Sequence, residues 1–227
     1  LAALLERLGE EGSTDCFYRG VIGQQVARAF QENGGRVTEA DMQAYYAQEV
    51  PPLGVKYGDY EVLGPQPSCP AVTPMQVLAI CHALGWERLP AGPQRTHAKV
   101  EAFRLAWRDR FNYVADPEQV AGVNNTVKQL LSADYAAGLA DDVRAAVAAK
   151  TAIDTGVDAD PQSGTLHFAA TDRNGTVVSV TLTHGGTFGA CVTVPGLGLT
   201  LGHGMTRFDP GTPNAIGPRK RPVHNMT

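Results

Sequence analysis

Thr165 opens a run of β-branched residues directly after a polar stretch that ends in Ser163-Gly164. A hydroxyl at the first position of a strand, beside an exposed loop, is where a hydrolase that cuts its own chain needs its nucleophile. Cleavage before the threonine frees its α-amine, whose pKa of about 8 lets it take the proton of the threonine's own hydroxyl. Threonines also open strands for purely structural reasons, and spacing alone does not separate the two readings.

The other chemical patterns are weaker. Gly196-Leu197-Gly198-Leu199-Thr200-Leu201-Gly202 is one residue out of step with a dinucleotide-binding loop, and no helix with a downstream acidic partner follows it. No phosphate loop, H-E-x-x-H or G-x-S-x-G sequence is present. His203, Asp209 and His224 could meet around a metal, but their spacing does not demand it. The four cysteines (Cys16, Cys69, Cys81 and Cys191) include no C-x-x-C pair, so they read as free thiols, with a Cys69–Cys81 disulfide the alternative. Neither a metal nor a cofactor is expected.

The elements that must position Thr165 follow from periodicity. Leu1–Leu8 has apolar residues at helical spacing and no basic leader, and reads as the middle of a helix. Val21–Gln31 carries an apolar stripe closed by Gly34-Gly35, and Thr38-Glu39-Ala40-Asp41 has a capping-box pattern for a helix through Tyr46. Val55–Leu63 suggests strands around Gly58-Asp59; helices are predicted over Thr73–Leu84, Arg95–Arg110 and Asp134–Lys150. In the second of these Val100, Phe103, Leu105 and Trp107 mark the expected apolar side. Asp154–Ser163 reads as a flexible loop, and the runs flanking Asn174-Gly175 as a hairpin, since both turn residues tolerate positive φ. Helices first and hairpins later predict an α+β fold rather than a parallel α/β sheet. The expected organisation is a mainly helical part over 1–150, a processing loop over 151–164 and a β-rich region over 165–227.

Composition narrows the partners. The 227 residues carry a formal net charge of -4, which leaves no basic footprint for nucleic acid. No apolar run approaches the roughly 18 residues of a membrane span. The chain lacks an initiator Met and reads as part of a longer protein, so a cytoplasmic and a periplasmic or secreted location both stay open.

Several stretches resemble the γ-glutamyltranspeptidase (glutathione hydrolase) family. They begin at Phe17-Tyr18-Arg19-Gly20 and include Asn33-Gly34-Gly35-Arg36-Val37-Thr38, Asp59-Tyr60-Glu61-Val62 and Asp109-Arg110. They continue in order through Thr165-x-His167, Asn174-Gly175, Thr187-Phe188-Gly189, Pro213-Asn214-Ala215 and Lys220-Arg221-Pro222. The resemblance implies a four-layer αββα sandwich of the N-terminal-nucleophile hydrolase type, here an incomplete segment of it with an accessory helical region. It implies a zymogen cut between Gly164 and Thr165, and a partner that is the protein's own processed subunit. Thr165 would be the nucleophile, and Thr183 the neighbouring-strand threonine that supports it. The activity implied is hydrolysis or acyl transfer of a small-molecule amide, γ-glutamyl or similar. The family's oxyanion-hole glycines and carboxylate-binding arginine would lie beyond Thr227 and before Leu1.

The resemblance also marks departures. Gly185 stands where members have an asparagine, Arg207 where an aspartate grips the substrate's α-amine, and His224-Asn225 where two serines hold its α-carboxylate. Leu166 replaces the threonine after the nucleophile. A guanidinium repels an ammonium and favours a carboxylate. The expected substrate is therefore an amide with a nearby carboxylate and no α-amine, with true γ-glutamyl transfer the weaker option. A catalytically silent homologue acting as a binding or scaffold protein is the alternative.

Overall fold

The structure, a computed structural model, describes residues 1–156 and 165–224. The expected cleavage-site residue Gly164, the substrate-binding candidate Asn225 and most of the predicted loop fall outside these. The fold is mixed helix and sheet, as expected, and its residues group into two compact units, each discontinuous in sequence.

The first unit takes Leu1–Glu49 and the described residues from Thr165 to Gly204. It holds helices α1 (Ala2–Glu11), α2 (Asp15–Arg19), α3 (Val21–Glu32) and α4 (Glu39–Ala44). The capping box is present: Thr38 Oγ1 accepts from Asp41 N at 3.2 Å, and Asp41 Oδ2 accepts from Thr38 N at 2.8 Å. Leu4, Cys16, Ile22, Val26, Ala29 and Met42 form the unit's core with Val194 and Leu201. The short α2 carries too little periodicity to be seen in the sequence.

The second unit takes the described residues between Val50 and Pro161 together with the segment from Met205. Strands β1 (Leu53–Tyr57) and β2 (Tyr60–Gly64) pair antiparallel; helices α5 (Val72–Leu84), α6 (Pro93–Tyr113), α7 (Val123–Leu130) and α8 (Ala133–Ala149) follow. Helix α5 is apolar on nearly every side because it is enclosed, with Ile80 wholly buried. Its last turn is closed by Gly85 in the left-handed region (φ 68°), whose N–H reaches the carbonyls of Cys81 and His82.

The expected apolar side of α6 is corrected. Of its four marker residues only Leu105 is buried, while Val100 and Phe103 are exposed. The buried face is built from Ala98, Ala102, Leu105 and Ala106, together with Glu101 and Asp109. Small residues let α5 and α8 approach closely, so the packed stripe follows shape rather than the largest side chains. Asp109 is buried because its charge is fully met. Oδ1 accepts from Arg108 Nε (2.9 Å), and Oδ2 accepts from Gln76 Nε2 (2.6 Å) and Tyr135 Oη (2.9 Å). Glu101 accepts from Ile153 N at 2.9 Å, and Arg104 Nη2 donates to Ile153 O at 2.6 Å. This pair ties the segment after α8 to α6.

Strands β3 (Thr165–Thr171) and β4 (Val177–Thr183) form the expected hairpin, in register from Thr165↔Thr183 to Thr171↔Val177. The turn differs in mechanism, since only Gly175 takes a positive φ (85°). Asp172 organises the rest: Oδ1 accepts from Asn174 N and Thr176 N, and its carbonyl from Gly175 N. The glycine-rich stretch after Val194 is a small hairpin of β5 (Thr193–Val194) and β6 (Leu199–Thr200), not a nucleotide loop. All four cysteines are free thiols.

Candidate active site

Alternation along β3 and β4 separates the hairpin into two faces. One carries Leu166, Phe168, Val180 and Leu182; the other carries Thr165, His167, Ser179, Thr181 and Thr183. Thr165 is exposed, and its hydroxyl donates to Thr183 Oγ1 across the register pair at 3.2 Å. Thr183 Oγ1 also accepts from Gly185 N at 3.1 Å, so a backbone N–H fixes the acceptor that holds the Thr165 hydroxyl. Thr165, Thr183 and Gly185, three of the residues singled out above, are thus joined in one hydrogen-bonded line.

Gly185 contributes backbone only. Its φ is +90°, and a Cβ there would lie 3.0 Å from His203 O. The peptide is held by His203 N donating to His184 O at 2.6 Å. A side chain at this position would be strained in conformation and would press against His203 O. Next to Thr165 on the same face, His167 has both ring nitrogens engaged, Nδ1 with Thr181 Oγ1 (2.8 Å) and Nε2 with Ser179 Oγ (3.2 Å).

The second group lies in the other unit. Arg207 ends a 3-10 turn over Gly204–Arg207 and is 9% exposed, a buried rather than a surface cation. Asn214, 2% exposed, donates from Nδ2 to Arg207 O and to Asp209 Oδ2, each at 2.8 Å. Its Oδ1 accepts from Val223 N at 2.9 Å. Arg110 of α6 donates from Nη2 to Val223 O (3.0 Å) and His224 O (3.2 Å), and stacks on Trp107 at 4.9 Å. Burial presses the Arg110 pKa down to about 10; Asp209 counters this and Arg207 adds to it. His224 is held below the usual histidine range, first by burial and then by Arg110 and Arg207, which favours the neutral ring at pH 7. Arg207 and His224 are therefore brought together, whereas Arg110 and Asn214 were not picked out for a role in the sequence. Their signal was only that they sit in matching stretches, Asp109-Arg110 and Pro213-Asn214-Ala215.

Among the described residues no three His, Cys, Asp or Glu side chains gather as metal ligands, His203, Asp209 and His224 included. No described helix is long and apolar enough to cross a membrane.

The fold is that of N-terminal-nucleophile hydrolases. It superposes on the crystal structure of cephalosporin acylase from Bacillus halodurans with a TM-score of 0.76 and 28% identity, over 98% of this chain and 39% of that one. The sequence profile of the γ-glutamyltranspeptidase family matches residues 1–227, and the chain belongs to that family. It is 32% identical to the glutathione hydrolase proenzyme of Pseudomonas sp. (strain A14), with all of this chain covering 41% of that protein. It is 33% identical to the acylase ACY 1 proenzyme of Pseudomonas sp. (strain SE83), over 99% of this chain and 40% of that protein. The chain thus spans well under half the length of these curated relatives.

Proposed function

We propose that this chain supplies the nucleophile strand and substrate-reading residues of a self-processing threonine amidohydrolase or acyltransferase. The observation that supports it most is the exposed Thr165 hydroxyl, at the first position of β3 and donating to Thr183 Oγ1 at 3.2 Å. In the uncut chain Thr165 Oγ attacks the carbonyl carbon of Gly164. The C–N bond breaks, an ester forms, the α-amine is freed and water releases the ester. The two polypeptides stay together as subunits. In turnover the new α-amine takes the Thr165 hydroxyl proton while Oγ attacks the substrate amide. It then returns that proton to the departing amine, and the acyl ester passes to water or to an amine acceptor. Thr183 orients the hydroxyl throughout.

Relatives named glutathione hydrolase and acylase bracket the substrate. Arg207 in place of the family's aspartate favours an acyl group bearing a carboxylate without an α-amine, with His224 and Asn225 completing the reading set. The same substitutions motivate the other reading, a silent homologue that kept the fold for binding.

Intact mass spectrometry of the full-length protein decides between them. The expected result is two fragments divided before Thr165, and one uncut chain for Thr165→Ala. A wild-type protein that stays whole, or a Thr165→Ala variant cut at that bond, would overturn the proposal.

A further inference from the structure

Arg207 and His224 are 17 positions apart in sequence, on a turn and on an extended segment, and neither element is long enough to hold its own geometry. The carboxamide of Asn214 supplies that geometry. One nitrogen bridges Arg207 O and Asp209 Oδ2, and its oxygen holds Val223 N, the residue before His224. The loop that presents it is braced in turn. Asn214 N donates to Thr212 Oγ1 (3.1 Å), Thr212 Oγ1 donates to Asp209 O (2.8 Å), and Asp209 N donates to Asn214 O (3.1 Å). Arg110 holds the carbonyl side of the same segment, at Val223 and His224. A buried amide with both ends engaged is a rigid spacer, because any displacement leaves a buried donor or acceptor without its partner.

We infer that Asn214 is the positioning residue of the substrate-reading pair, setting the separation of Arg207 and His224 and through it the discrimination between acyl groups with and without an α-amine. The inference rests on the proposed function, since it assumes that Arg207 and His224 face the acyl group. Only the side-chain amide offers two donors and an acceptor in this shape. Asn214→Asp keeps the volume but sets a carboxylate against Asp209 Oδ2 and Arg207 O, which drives the turn away from the segment.

The test uses full-length, processed protein and two chromogenic amides, glutaryl-p-nitroanilide and γ-glutamyl-p-nitroanilide, which differ by the α-amine alone. Maturation is read first by intact mass. In Asn214→Asp, kcat/KM for the glutaryl amide is expected to fall by about tenfold or more, mainly through KM, because a displaced guanidinium loses a charge-assisted contact. The γ-glutamyl amide carries the same carboxylate beside an ammonium that Arg207 repels, so its net gain from Arg207 is smaller; it falls less, and the ratio of the two moves towards one. Asp209→Ala removes the acceptor of the same bridge from its partly exposed end and shifts the ratio in the same sense, which keeps the test open should the Asn214 variant not fold. A folded Asn214 or Asp209 variant that slows both amides equally has a merely structural residue, and the inference fails. If processed wild-type protein releases nitroaniline from neither amide, the reading beneath fails and takes the inference with it.

Discussion

Thr183→Val is the sharpest probe of the Thr165 site. Valine keeps the shape of threonine and its β-branch, so β4 loses no strand propensity. What disappears is one oxygen that accepts two hydrogen bonds, from Thr165 Oγ1 at 3.2 Å and from the buried Gly185 N at 3.1 Å. The first is a solvent-exposed bond worth about 1 kcal/mol net. The second leaves a buried amide unsatisfied, at about 1–3 kcal/mol, and loosens the backbone that set the acceptor's position. If only the orienting part reaches the transition state, the barrier to self-cleavage rises by about 1.4–2.7 kcal/mol, or about 10- to 100-fold in rate. Thr183→Ser restores the acceptor and is expected within a few-fold of wild type. The assay follows the uncut and cut masses of full-length protein over time after synthesis. A Thr183→Val chain maturing at the wild-type rate, with a Thr183→Ser chain no different, would refute the role given to this oxygen.

Further perturbations follow from the second unit. Asp109→Ala removes the acceptor shared by Gln76, Tyr135 and Arg108, and is expected to cost about 3 kcal/mol or more, read as a lowered midpoint in urea unfolding. Tyr135 is pushed up to about 12, by burial first and then by Asp109, so the folded state holds its proton where the unfolded chain has lost it. Stability should therefore fall as pH rises from about 10 towards 12, and Tyr135→Phe should flatten that limb in alkaline melts. His224 runs the other way. Its folded pKa lies below the ordinary 6.5, so the unfolded chain binds the proton first and stability is lost as pH falls below that value. His224→Gln should remove this part of the acid dependence, and an unchanged acid limb would show that His224 is not held neutral.

The hairpin was legible because its signals are local: β-branched runs, a turn with Asn174-Gly175, and a period of two that puts Thr165 and Thr183 on one face once the register is set. The capping box at Thr38 and Asp41 and the left-handed stop at Gly85 are local in the same way. The apolar side of α6 was misread because exposure depends on what packs against a helix. Ala98, Ala102 and Ala106 announce nothing by size, and Glu101 and Asp109 are buried only because partners from elsewhere in the chain meet them. The grouping of the first helices with the later hairpins was equally invisible, since such contacts join residues far apart in sequence.

Residue types and the family resemblance therefore marked which groups could act: a threonine at a strand start, a second threonine able to face it, and the cation Arg207. Only the tertiary structure decided which of these meet and how they are held. It turned Gly185 from a missing side chain into the amide that fixes Thr183, and it turned Asn214 from a motif letter into the bridge between Arg207 and the His224 segment. A hydrogen bond is set by distances of a few tenths of an ångström, and across a separation of 17 positions a sequence carries no record of distance.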